Sequence, residues 1–392
     1  MLLMVGNGVQ GSLLGIRGNL EGFTTFQLSI VMSAYFLGFL GGSRLAPIMI
    51  RNVGHVRVFS ALGSMISAVL ILFPMLPDWI WWSGMRVVIG FCFSGIYVTA
   101  ESWLNNTATN ETRGQALSAY MIVQMLGIIA SQGLLSLGDP AGWGLFVIPS
   151  VLVSMAFMPL LLAPTPAPMF DAIKPMSFVA LFRTSPLGCA GMLLTGGVFS
   201  AMFGMASVYG AMSAMTIGQI AVFVAAMYVG GLALQYPVGW LSDRMDRRKL
   251  IAGMSAAGAL VMIVAAALPL PFVFEVLVGA LLGGVINPLY SLLIALTNDH
   301  LTKEQMPGAS AGLIFLNGFG AIFGPIWAGW VMGLIGPKGY FLVIGAFFAA
   351  LAGYAAYRLT RRATPVHVGG YQGLSPTASS LAVDAVLGKD AR

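Results

Sequence analysis

Three ionisable side chains stand in or at the ends of long apolar runs of this chain: Arg86, Glu101 and Glu275. Charge is costly to hold in hydrocarbon, so such residues are read first as working parts, either ion pairs that open and close or carboxylates that carry a proton. Arg86 lies a few residues past Trp79, Trp81 and Trp82; aligning Gly90 and Gly95 with Gly279 and Gly284 gives it Glu275 as counterpart. The two are expected either to form a gate or to snorkel separately to the interface. Glu101 ends its apolar run and Arg113 opens the next, a second candidate pair, with a solvated helix end as the plain alternative. Glu101 and Glu275 are the carboxylates nearest the membrane interior, and Glu101 is favoured as the titrating group.

The densest charge is the stretch Gly239 to Lys249, where Asp243, Arg244, Asp246, Arg247, Arg248 and Lys249 lie between two apolar runs. Such a cluster requires water and marks a tight loop at a membrane face. Its cations could do no more than fix topology. Uncharged polar and aromatic residues at mid-run are the expected pocket lining: Gln10, Tyr35, Tyr97, Gln124, Gln132, Tyr209, Asn287, Tyr290 and Asn317. Part of this set is expected only to bridge helices. His55, His300 and His367 are placed in loops, which argues against a histidine relay, and Cys92 and Cys189 are read as small apolar residues. No metal site or cofactor is expected.

The elements that must position these residues are membrane helices. With 58% hydrophobic and 8% charged residues, the chain of 392 is far more apolar than a soluble domain. Runs near 28–46, 58–76, 81–105, 114–137, 142–163, 187–211, 218–242, 250–268, 272–298, 307–335 and 340–359 can each cross the bilayer as a helix. The first segment, Met1 to Ile16, is short for a span; a helix whose beginning is missing or frayed is expected there, in place of a cleaved signal peptide, since no basic leader precedes it. Strand-like alternation is absent, which argues against an outer-membrane barrel. The net charge of +6 falls in the breaks between runs, so it reports topology and not nucleic-acid binding.

All lysines and arginines except Arg17, Arg86 and Lys338 fall on one side if both termini are cytoplasmic. The segment from Gln27 to Gly38 also repeats 192 residues later, from Gln219 to Gly230. This predicts two six-helix halves of the same orientation, enclosing a midplane site. Residues 1–163 form the first half, 164–186 a proline-rich linker with an amphipathic piece from Met176 to Arg183, 187–359 the second half and 360–392 a disordered tail.

The loop pattern Gly-x-Leu-Ser-Asp-Arg-x-Asp-Arg-Arg from Gly239 to Arg248 resembles the signature loop of the major facilitator superfamily. The resemblance implies that Asp243 closes a cytoplasmic contact with arginine near a helix start, for which Pro307 is suited. Arg86 to Gly90 is similar to the fourth-helix Arg-x-x-x-Gly motif linked in that family with proton coupling. The first-half loop, Gly42 to Arg57, keeps the arginines but has Pro47 where the family places aspartate. In this, and in Ala100 to Asn105 and Tyr290 to Asp299, the chain resembles the YcaD-like branch.

The expected protein is therefore an all-α membrane protein of twelve helices in two pseudo-symmetric bundles, in the inner membrane of a bacterium. It moves a small organic solute by alternating access, with protons as a candidate second substrate, and is expected to be monomeric. There is no nucleotide-binding Gly-x-x-x-x-Gly-Lys loop. A transporter-like receptor without flux is the main rival; a membrane enzyme is a weaker one, because His300 beside Asp299 is the only catalytic-looking neighbour pair.

Overall fold

The computed structural model describes residues 1–107, 113–162, 176–302, 305–361 and 379. Helices account for nearly all of them, and no strand occurs among the described residues. The order is α1 (Leu2–Leu20), α2 (Thr25–Val53), α3 (His55–Met75), α4 (Trp79–Thr107), α5 (Arg113–Leu137), α6 (Gly144–Ala156), α7 (Met158–Leu162), α8 (Phe178–Thr184), α9 (Pro186–Met212), α10 (Ile217–Ser242), α11 (Arg247–Ala267), α12 (Phe272–Asn298), α13 (Met306–Ile335) and α14 (Gly339–Leu359).

Ten of these helices are long and apolar enough to cross a membrane. The other two expected spans are α1 and the α6–α7 pair. α1 carries Asn7, Gln10, Arg17 and Asn19, which lower its hydropathy. It nevertheless runs for 19 residues, beyond the expected end at Ile16, and reaches about 28 Å. The sixth span is broken at Phe157, which leaves α6 with 13 residues. α2 is likewise longer than expected: it continues through Pro47 and stops at Gly54, whose φ of +88° suits glycine.

Contacts group the chain into two compact units. One comprises Met1–Ala172 with Phe203–Ala225; the other comprises Ile173–Met202 with Ala226–Arg392. In the first, α1 packs on α5 and α6, and α3 on α4 and α6, while α2 lies along α4. In the second, α11 packs on α14 and α12, and α13 on α14. The linker expected at 164–186 lies partly outside the described residues, but α8 stands where the amphipathic piece is expected. The tail is described only at 360, 361 and 379.

The internal repeat has a local physical basis. Before α2, the Thr24 hydroxyl accepts from the Gln27 backbone N–H and the Gln27 side-chain Oε1 accepts from the Thr24 N–H, at 3.2 and 2.8 Å. Thr216 and Gln219 make the same reciprocal cap before α10, at the same two distances. This is the capping box, which satisfies backbone donors that no helical carbonyl can reach.

The repeat continues into the helix crossings. A side chain on Gly38 would run into the Val87 carbonyl and one on Gly90 into the Tyr35 carbonyl; in the second unit Gly230 faces Ala280 and Gly283 faces Met227 in the same way. Small residues let two backbones touch, which is how membrane helices pack when lipid is as apolar as their side chains. These crossings make Gly283 the counterpart of Gly90. In this register Arg86 matches Gly279, and Glu275 matches Trp82 instead of Arg86.

Candidate functional site

In the first unit, polar side chains from three helices converge on Arg86. The Arg86 guanidinium, 4% exposed, donates to Gln10 Oε1 of α1 at 2.7 Å and to Met32 Sδ of α2 at 3.8 Å. Its Cζ lies 4.5 Å from the centre of the Tyr35 ring, a cation over a π-face. One turn along α1, Asn7 donates to the Tyr97 hydroxyl at 3.2 Å, and that hydroxyl donates to Met4 Sδ. Arg86 thus unites Gln10 and Tyr35, and Asn7 adds Tyr97.

Arg86 makes no ion pair among the described residues, and its Nε and the Gln10 Nε2 are buried without a hydrogen-bond partner there. Buried donors normally find an acceptor, because an unmet one forfeits its hydration. The cluster is therefore a buried cation with hydrogen-bonding capacity to spare. Other expected lining residues have partners of their own. Gln132 accepts from Ser12 at 3.0 Å and bridges α5 to α1. Asn317 donates to the Met192 carbonyl and bridges α13 to α9. Asn287 donates to Gly283 of its own helix and packs against Gly231 of α10. Gln124, Tyr209 and Tyr290 are buried, with Tyr209 against Phe223.

Glu101 is 2% exposed within α4, so it is not a solvated helix end. It acts electrostatically on Tyr120 of α5. Arg113 opens α5, but its side chain lies outside the described residues. Glu275 is half-buried in the first turn of α12, where the partial positive charge of a helix start favours a carboxylate.

The charged loop in the second unit is tied down by a residue outside the expected set. Arg247, the first residue of α11, places Nη1 2.5 Å from Asp299 Oδ1, just past α12, with both side chains 2% exposed. Its Nε donates to Ser242 and its Nη1 also to the Ala295 carbonyl. Asp243 is 43% exposed and 3.6 Å from the same guanidinium. Asp299, and not Asp243, is therefore the principal carboxylate of this contact. Arg244 is exposed, lying over Trp240 at 4.0 Å. Asp246 caps α11 and chelates Arg248.

The repeat offset that matches Gln27 with Gln219 matches His55 with Arg247. His55 heads α3 and is buried, against the expectation of a loop histidine, and its Nε2 lies 3.0 Å from Ser102 Oγ of α4. Both units thus hook the first residue of their third helix onto the fourth, one with a neutral pair and one with an ion pair. His300 is at the loop after α12, and His367 lies outside the described residues. The cations that break the charge distribution have local uses: Arg17 pairs with Glu21, and Lys338 donates to the Ala265 and Leu268 carbonyls at the end of α11.

With ten helices long and apolar enough to cross a membrane among the described residues, and polar clusters buried between them, the chain is a multi-pass membrane protein in class. The Major Facilitator Superfamily model matches residues 194–386. The uncharacterized MFS-type transporter YcaD of Salmonella arizonae is 27% identical over 330 residues, 82% of this chain and 84% of the relative; that of Escherichia fergusonii is 25% identical over 80% and 81%. Among solved structures, the nucleoside transporter NupG is similar with a TM-score of 0.72 at 13% identity, covering 92% of this chain and 98% of that one. A bacterial homologue of the human lysosomal transporter Spinster, inward-facing and occupied, gives 0.73 at 15% over 93% and 97%. The chain is similar to major facilitator superfamily proteins, the YcaD transporters among them, and its fold is the one these structures share.

Proposed function

We propose that this chain is a secondary transporter that carries a small organic solute across the bacterial inner membrane by alternating access, with both termini in the cytoplasm. The observation that carries the substrate reading is the Arg86 cluster: one buried cation without a carboxylate partner among the described residues, held by Gln10 and Tyr35, with the Asn7–Tyr97 pair one turn along α1. Such a set suits a solute that is neutral or bears one negative charge, with hydroxyl or amide groups to meet the spare donors. It disfavours polyphosphates and cations. The relatives are transporters by name, and the NupG and fucose:proton symporter structures act on uncharged hydrogen-bonding solutes, which supports the same class.

Proton coupling is proposed to run through Glu101, buried in the middle of a helix-packed environment. The test is a thermal-shift screen of neutral and monoanionic metabolites against purified protein, repeated with Arg86→Met. A stabilising solute whose effect is lost in Arg86→Met supports the reading. Stabilisation of both proteins by the same solute removes Arg86 from the binding site. A receptor without flux would also bind the solute, and counterflow separates the two.

A further inference from the structure

At one end of the second unit, the α8–α9 junction, the start of α11 and the ends of α12 and α14 line a small hollow that is open on one side. Its polar lining is Thr184, Ser185, Arg248, His300 and Arg358. We propose that this pocket holds the phosphate headgroup of an anionic phospholipid, with Arg358 as its principal cation.

Arg248 is already matched by Asp246, whose two oxygens lie 3.2 Å from its Nε and 2.8 Å from its Nη2. The Arg358 guanidinium has no hydrogen bond or ion pair among the described residues and is the cation left over. His300 Nδ1 is 2.9 Å from the Leu296 carbonyl, which can only accept, so Nδ1 carries a proton; Nε2 then accepts from a ligand in the neutral ring and donates to a phosphate oxygen only in the imidazolium. The start of α9, capped by Ser185 Oγ on the Gly188 N–H, adds the partial positive charge of a 27-residue helix. Phosphate is the chemistry that such a set recognises.

The apolar surroundings decide between a lipid and a soluble anion. α8 leads straight into Thr184 and exposes Phe178, Val179 and Phe182, while Tyr357 is exposed beside Arg358. Aromatic and aliphatic side chains next to a basic pocket at the ends of membrane helices give a lipid's glycerol and acyl chains a place to lie.

The experiment measures thermal unfolding of the purified full-length protein in detergent, titrated with phosphatidylglycerol, with phosphatidylcholine or with inorganic phosphate. The expected result is stabilisation by phosphatidylglycerol alone, with an apparent affinity about fivefold weaker in Arg358→Gln. Arg361→Gln, which removes a nearby exposed cation lying over Tyr357, should bind as the wild type does. Equal losses in both variants would reduce the effect to bulk surface charge and overturn the site. Stabilisation by inorganic phosphate that Arg358→Gln abolishes would assign the pocket to a soluble anion and overturn the lipid reading. A change in melting temperature of Arg358→Gln in phosphatidylcholine would make the residue structural, and unchanged phosphatidylglycerol affinity of Arg358→Lys and Arg358→Gln alike would remove it from the site.

Discussion

Arg247 and Asp299 meet at 2.5 Å with both side chains almost wholly buried, which joins the start of α11 to the end of α12. Removing one member of a buried pair strands the other charge, at a cost of about 3–5 kcal/mol. Asp299→Asn should therefore lower stability by about that amount. Asp243→Asn touches an exposed and longer contact and should cost less than about 1 kcal/mol. Unfolding in mixed micelles measures both, and equal losses would return the principal role to Asp243.

The two capping boxes should be energetically equivalent. Thr24→Ala and Thr216→Ala each remove a side-chain acceptor from a helix start and should each cost about 1 kcal/mol. The double variant should cost the sum, because the caps lie on separate helices. The same unfolding assay decides it.

The glycine crossings allow a sharper contrast. Gly90→Ala and Gly283→Ala each drive a methyl group into a facing carbonyl, and overpacking of this kind costs about 1–3 kcal/mol. Gly84 has open space where its side chain would be, so Gly84→Ala should not destabilise. Equal stability of all three would show that the crossings are looser than the structure has them.

The fold was legible because the signals that specify it are long and redundant: α12 begins and ends where its apolar run does, and the capping threonines sit beside the repeat that Gln27 and Gln219 reveal. The boundaries that differ have local causes, such as α2 continuing through Pro47. The site was legible only in part. Arg86, Gln10 and Tyr35 stand out as polar residues in apolar runs, and the structure joins them. Asn7 carries the same signal and belongs with them. Asp299 and His55 do not stand out, because each lies at a helix end, where sequence cannot tell a solvated residue from a buried one. The repeat offset from His55 to Arg247 was the signal that could have found the first of these hooks. Asn317 and Gln132 show the opposite limit: polarity in mid-span marks helix bridges as readily as pockets.

If transport is coupled to protons through Glu101, an imposed pH gradient should drive accumulation in proteoliposomes, and Glu101→Gln should abolish that accumulation while exchange persists. Glu275→Gln should leave it intact, since Glu275 has a helix-start role. Retention of pH-driven accumulation in Glu101→Gln would remove the residue from coupling.

Counterflow tests the central claim most directly. Proteoliposomes loaded with an excess of the solute found by thermal shift should draw in the labelled solute transiently, without any imposed gradient of protons, and the overshoot should be lost in Arg86→Met. Binding of that solute with no overshoot in the wild-type protein would contradict transport and leave a receptor.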